Sequence, residues 1–427
     1  MMKTILRGGR VIDPSQNLDG VMDVLIEDGR IAELCAHAQE DGAEVIDVSG
    51  LCVLPGLVDI HCHLRDPGFE YKEDIATGTR SAAAGGFTSI CCMPNTNPVN
   101  DCAAVTRYIL ERAATVGSGV HVYPIGAISK GLKGGELAEI GTMKEAGIVA
   151  ISDDGKPVVN SNLMRLALIY ADHFGVPVVS HSEDPDLVDG GVMNEGYMST
   201  LLGLRGTTRA AEEVMIARDI LVAEAYGKRI HLCHVSTKGG VQLIREAKAR
   251  DVRVTAETAP HYIGATDAWV EGYDTNTRVN PPLRTEEDRL AVIAGLVDGT
   301  IDCIATDHAP HHADEKNVEY PLAASGMVGF ETAFAVCYTE LVEKGYMDLP
   351  RLVSLMTCKP ARILNLPAGT LAPGACADIA LVDPARRWTV DAGKLHSKSK
   401  NTPFDGRTYT GRVKRTLCAG RTIYEEA

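Results

Sequence analysis

The sequence predicts an α/β protein: a (β/α)8 TIM barrel carrying a small β-sandwich-like domain built from both chain ends. Three observations carry that expectation. Through the middle of the chain, eight short apolar runs alternate with longer helix-like segments. Both ends read instead as short strands with tight turns. Ionisable and amide side chains close one apolar run after another, always at the same end, where a barrel of this type places its site.

Taken in order, the N-terminal stretch holds TILRGGRVID and then DVLIEDGRIAEL, in which Asp28-Gly29 separates two alternating runs as a hairpin turn would. The C-terminal stretch, with GACADIALVDP and GRVKRTLCAGRTIYE, reads the same way, so residues 1–54 and 367–427 are assigned to one discontinuous β domain. The barrel is placed at 55–366, with strands in LPGLVDIHCH, FTSICCMPN, GVHVYPIGA, GIVAISDD, VPVVSHSE, RIHLCHVS, VRVTAETAPHY and DCIATDHAPH. Near-continuous apolar runs suit strands buried on both faces. Between them, LMRLALIYADHF and TKGGVQLIREAKAR carry apolar residues at three-four spacing, as helices packed on one side do. A chain of 427 residues accommodates a barrel of about 250 residues with a satellite domain.

A net charge of −15 and the lack of a basic cluster argue against nucleic acid or an anionic membrane as partner and leave a small molecule. The opening MMKTILRGGRVIDPSQ lacks the apolar region of a secretory signal, and no run approaches the ~18 apolar residues of a membrane span. Twelve cysteines are scattered singly apart from Cys91-Cys92, with no CxxC spacing. They read as reduced, mostly buried thiols of a cytoplasmic protein.

Chemistry concentrates first in DIHCHLRDPG, residues 59–68. Residues two apart on a strand share a face, so His61 and His63 would project together with Cys62 turned away. A lone pair of this kind is as often structural as ligating. VVSH adds His181, HLCH adds His234 and ATDHAPHH adds Asp307, each closing a run. Singly, each reads more readily as a hydrogen-bonded buried group than as a ligand. Together they are costly to bury unless a metal compensates them, and imidazole with carboxylate suits Zn²⁺ or another borderline divalent ion. Asp153 and Asp154 both close GIVAISDD, and alternation does not choose between them. His121, His173 and His231 lie at the start of or within elements and are read as structural.

Arg65 follows the histidine pair on the same face, and its planar fork suits a carboxylate. From the residues alone, Asn95 in MPNTNP, which follows an apolar run, and Asn280 in RVNPPL read as turn-forming asparagines. HHADEKNVEYPLAASGMVG, after the eighth run, is long and polar with no evident element, and is expected to close over substrate.

The paired histidines after strand one, the histidines ending strands five and six and the aspartate ending strand eight resemble the amidohydrolase superfamily. DIHCHLRDPG, MPNTNP, SDDG and ATDHAPH resemble the dihydroorotases of the bacterial single-function type, over nearly the whole chain. That resemblance implies one or two Zn²⁺ ions per subunit, a binuclear site being expected: His61, His63 and Asp307 on one ion, His181 and His234 on the other. Many relatives bridge with a carboxylated lysine. Here the bridge would be an aspartate, and the spacing to His181 favours Asp154 over Asp153, with Lys156 on the loop beyond. Substrate contacts would be His63, Arg65, Asn95, Asn280, His311, Ser325 and Gly326. The implied reaction is the interconversion of N-carbamoyl-L-aspartate and (S)-dihydroorotate in pyrimidine (UMP) biosynthesis, with Asp307 as proton shuttle. The alternatives are another cyclic amidase, hydantoinase or allantoinase, and an inactive dihydroorotase-like scaffold. A homodimer or association with another pyrimidine-pathway enzyme are the assemblies left open.

Overall fold

The computed structural model describes residues 3–39 and 42–426. Eight parallel strands form in the predicted runs: β1 (Leu57–Cys62), β2 (Phe87–Cys92), β3 (His121–Gly126), β4 (Ala150–Ile151), β5 (Val179–Ser180), β6 (Ile230–Leu232), β7 (Val254–Thr258) and β8 (Cys303–Ile304). They pair as two four-stranded runs, β1 to β4 and β5 to β8. Single bridges join the runs into a circle, Ile151 to Val178 at one seam and Cys62 to His308 at the other. At those seams Ile151 N donates to Pro177 O and Asp307 N to His61 O, each at 3.0 Å. The barrel is therefore closed, which removes its edges.

The barrel interior is filled by compact apolar residues, among them Val58, Ile60, Cys91, Met93, Ile125, Ala150, Val179, Cys303 and Ala305. Cysteine acts here as a compact apolar residue. Helices cover the outside as their spacing predicts. Ser161–His173 buries Leu163, Met164, Ala167, Leu168 and Ala171, and Asn160 caps it by accepting from Asn162 N and Leu163 N. Lys238–Ala249 buries Val241, Ile244 and Ala247 and is capped by Thr237.

Both chain ends build one eight-stranded mixed sheet. Lys3–Asp13 pairs with three strands, Leu18–Glu27, Glu44–Asp47 and Cys52–Pro55. Cys52–Pro55 in turn pairs antiparallel with Ile379–Thr389, which fastens the C-terminal part of the chain to the N-terminal part. Residues from both ends, including Leu6, Val24, Ile31, Val53, Ile379 and Leu417, share a core. The Asp28-Gly29 turn forms as expected, with φ of 48° and 79° between paired Glu27 and Arg30.

Gly56 marks the passage from sheet to barrel. Its N–H donates to Asp378 O at 2.8 Å, and a Cβ there would fall 2.7 Å from Thr88 Cβ. Gly56→Ala is therefore expected to destabilise the protein by about 1–3 kcal/mol, read as a lowered midpoint in urea unfolding.

Candidate metal centre

The carboxyl ends of the strands bring four histidines and two aspartates to one point. Asp154 Oδ1 lies 3.4 Å from His61 Nε2, 3.3 Å from His181 Nδ1 and 3.6 Å from His234 Nε2. Its Oδ2 lies 3.5 Å from His63 Nε2. Asp307 Oδ1 stands 3.3 Å from His63 Nε2 and 3.6 Å from His61 Nε2. Most of these gaps are longer than good hydrogen bonds. They match the ~3.3–3.6 Å that separates ligand atoms sitting ~2.0–2.2 Å from one tetrahedral ion. Among the described residues, His61 Nε2 and Asp154 Oδ1 are buried without any hydrogen-bond partner. Two such atoms would cost about 1–3 kcal/mol each unless a cation engages them. The donor set therefore fits a metal.

The outer nitrogens of three histidines face acceptors. His61 Nδ1 donates to Glu257 Oε1 at 2.6 Å, His63 Nδ1 lies 2.9 Å from Asn95 Oδ1 and His181 Nε2 lies 3.4 Å from Glu183 Oε2. An outer acceptor fixes the tautomer and leaves the inner nitrogen its lone pair, which is what a ligating imidazole needs. Burial raises the Asp154 and Asp307 carboxyls, but the surrounding imidazoles outweigh it and hold both well below the usual carboxylate range. Glu257 is likewise raised by burial and pulled back to about 2 by His61 and His231.

The adjacent aspartates separate by role. Asp153 Oδ1 accepts from Ile128 N at 2.8 Å and Ser129 N at 3.0 Å, and its other oxygen takes the Ser129 hydroxyl. It ties down the chain after β3 and does not reach the histidines. Lys156 is exposed. Three residues of the cluster region, Arg65, His234 and Asp307, have φ of 62°, 35° and 48°. A side chain in the left-handed region costs about 1–3 kcal/mol, and such strain gathers where geometry serves function.

A cleft of ≈ 210 Å³ opens above the cluster, lined by His63, Arg65, Asn95, Asp154, His181, His234, Asn280, Asp307, His311, Ser325 and Gly326. Of the residues named above as metal ligands or substrate contacts, with Asp154 as the bridge, all but His61 line it. Arg65 Nη2 is 3.3 Å from His311 Nε2, and that nitrogen is 2.9 Å from Ser325 O. Burial, helped by Arg65, Lys72 and Lys316, pushes the His311 imidazole down to about 3 and keeps it neutral.

The segment after β8 differs from the elementless loop expected. It contains two helical turns, Ala313–Lys316 and Tyr320–Leu322. Buried Lys316 pins it by donating to Thr275 O, Arg278 O and Ala324 O at 2.9, 3.2 and 2.7 Å. Residue types of mixed polarity hid these contacts, because each is made to a backbone carbonyl. Sequence reasoning also missed Glu257, Glu183 and Asn401. A lone acid inside the apolar VTAET was a usable signal for Glu257. Nothing local marked Asn401, which comes from the far end of the chain to accept from His311 N at 3.1 Å.

A family model described as Dihydro-orotase-like matches residues 50–240. A curated protein from Citrifermentans bemidjiense named dihydroorotase is 56% identical over 425 residues, 99% of this chain and 100% of that one. Another of that name from Acetivibrio thermocellus is 56% identical over 422 residues, covering 99% of each. The chain belongs to the dihydroorotase family. Its fold is shared more widely: an L-hydantoinase (dihydropyrimidinase) structure from Arthrobacter aurescens superposes with a TM-score of 0.91 at 27% identity, over 100% of this chain and 97% of that one. Dihydroorotase relatives and hydantoinase-type neighbours together make it a cyclic amide hydrolase.

Because Glu257 orients His61 from behind, Glu257→Gln is expected to weaken metal affinity on the order of 10–100-fold while leaving the fold intact, as measured by competition with a chromophoric chelator.

Proposed function

We propose that this chain interconverts N-carbamoyl-L-aspartate and (S)-dihydroorotate in pyrimidine synthesis, using Zn²⁺ held by the cluster at the barrel mouth. The observation that carries this reading is that the Arg65 guanidinium and residues of the histidine-carboxylate cluster, Asp307 among them, line one small cleft. A carboxylate-recognising fork beside a hydrolytic centre suits a cyclic amide that bears a free carboxylate.

His61, His63 and Asp307 would hold one ion and His181 and His234 a second, with Asp154 between them. Bound there, Zn²⁺ supplies Lewis acidity and acidifies water near neutral pH. Asp307 is the proton carrier: held as a carboxylate by its imidazole neighbours, it accepts a proton from the attacking water and returns it to the leaving ring nitrogen. Arg65, Asn95 and neutral His311 hold the substrate carboxylate, and Asn280 with the Ser325-Gly326 backbone borders the ring, so these groups orient and do not react. In the biosynthetic direction the same proton moves the other way.

Two rival readings have less support. Complete convergence of all six ligand candidates speaks against an inactive scaffold. Identity of 56% to dihydroorotases, against 27% to the L-hydantoinase, speaks against a different cyclic amidase. No helix among the described residues is long and apolar enough to cross a membrane. A cytoplasmic location and assembly as a homodimer, or with another enzyme of the pathway, belong to the same proposal, the former supported by buried free thiols.

Asp307→Asn is expected to retain metal and lose about 10²–10⁴-fold in turnover; wild-type turnover in that variant would dismiss the proton shuttle. Arg65→Ala should raise KM for dihydroorotate by roughly 10–100-fold, the equivalent of losing a charge-assisted hydrogen bond of about 1.5–3 kcal/mol, with metal content unchanged.

A further inference from the structure

A second cluster of metal-ligating side chains lies away from the mouth, where the barrel meets the terminal sheet. His121 opens β3 and so stands at the opposite rim from the site described above. Its Nε2 faces Asp378 Oδ2 at 3.1 Å and Cys418 Sγ at 3.3 Å. The potential ligand atoms of these three residues all lie within 4.8 Å of one another. Cys376 flanks the trio: its Sγ donates to Asp378 Oδ1 at 3.2 Å, and it is a further hydrogen-bonding neighbour of His121.

The ordinary reading is a half-buried His–Asp pair with two thiols nearby. Three features take it further. One imidazole nitrogen faces both the carboxylate and a thiol, whereas a relay of hydrogen bonds would use opposite nitrogens of the ring. The spacings of His121 Nε2 from Asp378 Oδ2 and Cys418 Sγ, 3.1 and 3.3 Å, approach the ~3.3–3.8 Å edges of a tetrahedron whose ligands lie ~2.0–2.3 Å from a central ion. The carboxylate is also oriented from behind, because Ala419 N donates to Asp378 Oδ1 at 2.9 Å and leaves Oδ2 turned to the imidazole. Access is open, since the His121 side chain is 37% exposed.

We propose that His121, Asp378 and Cys418, with Cys376 alongside, form a second metal site that takes a thiophilic divalent cation of the Zn²⁺ or Cd²⁺ class. The donors come from the first residue of β3, from Asp378 just before Ile379–Thr389 and from the last residue of Thr408–Cys418. An ion there clips barrel to terminal sheet at the same junction where Gly56 N meets Asp378 O. The role is structural. Binding takes a proton from the Cys418 thiol and one from His121 Nε2, both released to solvent, so affinity rises with pH.

The test titrates Cd²⁺ into the metal-replete full-length enzyme and follows the ultraviolet thiolate-to-cadmium charge-transfer band, with metal counted in the same samples. One further equivalent of Cd²⁺ and the band are expected in wild type and in Cys233→Ser, whose thiol lies near His61. Both are expected to disappear in Cys418→Ser, with dihydroorotate turnover retained as the check on folding. His121→Gln, at a partly exposed ring, gives a second variant and should weaken Cd²⁺ uptake at least tenfold. An absent band in wild type, or an equal band in wild type, Cys418→Ser and His121→Gln, overturns the proposal.

Discussion

The buried carboxylate of Asp154, ringed by four imidazoles, is the contact on which the rest of this structure depends. Placing one anion and four nitrogen bases together at the end of a barrel, almost without solvent, is unfavourable for each of them alone. It becomes tolerable when the charges and lone pairs are shared with a cation, and the unpartnered His61 Nε2 and Asp154 Oδ1 mark where that sharing is needed. The spacing of Asp154 from His61, His63, His181 and His234 makes it the common member of the set, which no other residue of the mouth could be.

Holding that arrangement requires support from behind and from the far end of the chain. Glu257, Asn95 and Glu183 set the orientation of three imidazoles. Backbone at Arg65, His234 and Asp307 lies in the left-handed region. Asn401 reaches from the C-terminal segment to His311 N, Ala309 O and Gly326 O, fixing the wall of the cleft that faces Arg65. The terminal domain is thus part of the site's construction as well as a cover for one side of the barrel.

Much of this was legible in the sequence because barrel strands are buried on both faces and their polar terminations are conspicuous against apolar runs. His61, His63, His181, His234 and Asp307 stood out for that reason. The choice between Asp153 and Asp154 was not legible from alternation, since both are buried and only contacts separate them: one binds the Ile128 and Ser129 amides, the other faces the histidines. The segment after β8 was misjudged because its order comes from Lys316 and Arg278 donating to main-chain carbonyls, which carry no signature in residue type. Nothing local marked the surroundings of His121, because its partners, Asp378 and Cys418, lie over 250 residues away along the chain.

The central claim is that the six converging side chains hold a metal and direct it at dihydroorotate. Its most direct test is ultraviolet-monitored consumption of dihydroorotate by the purified protein before chelation, after chelation and after return of Zn²⁺, with bound metal counted in each sample and hydantoin and allantoin as control substrates. The account predicts turnover of dihydroorotate that falls and recovers with metal content, and far slower turnover of both controls. Full activity in a metal-free sample, or hydantoin consumed as readily as dihydroorotate, would contradict it.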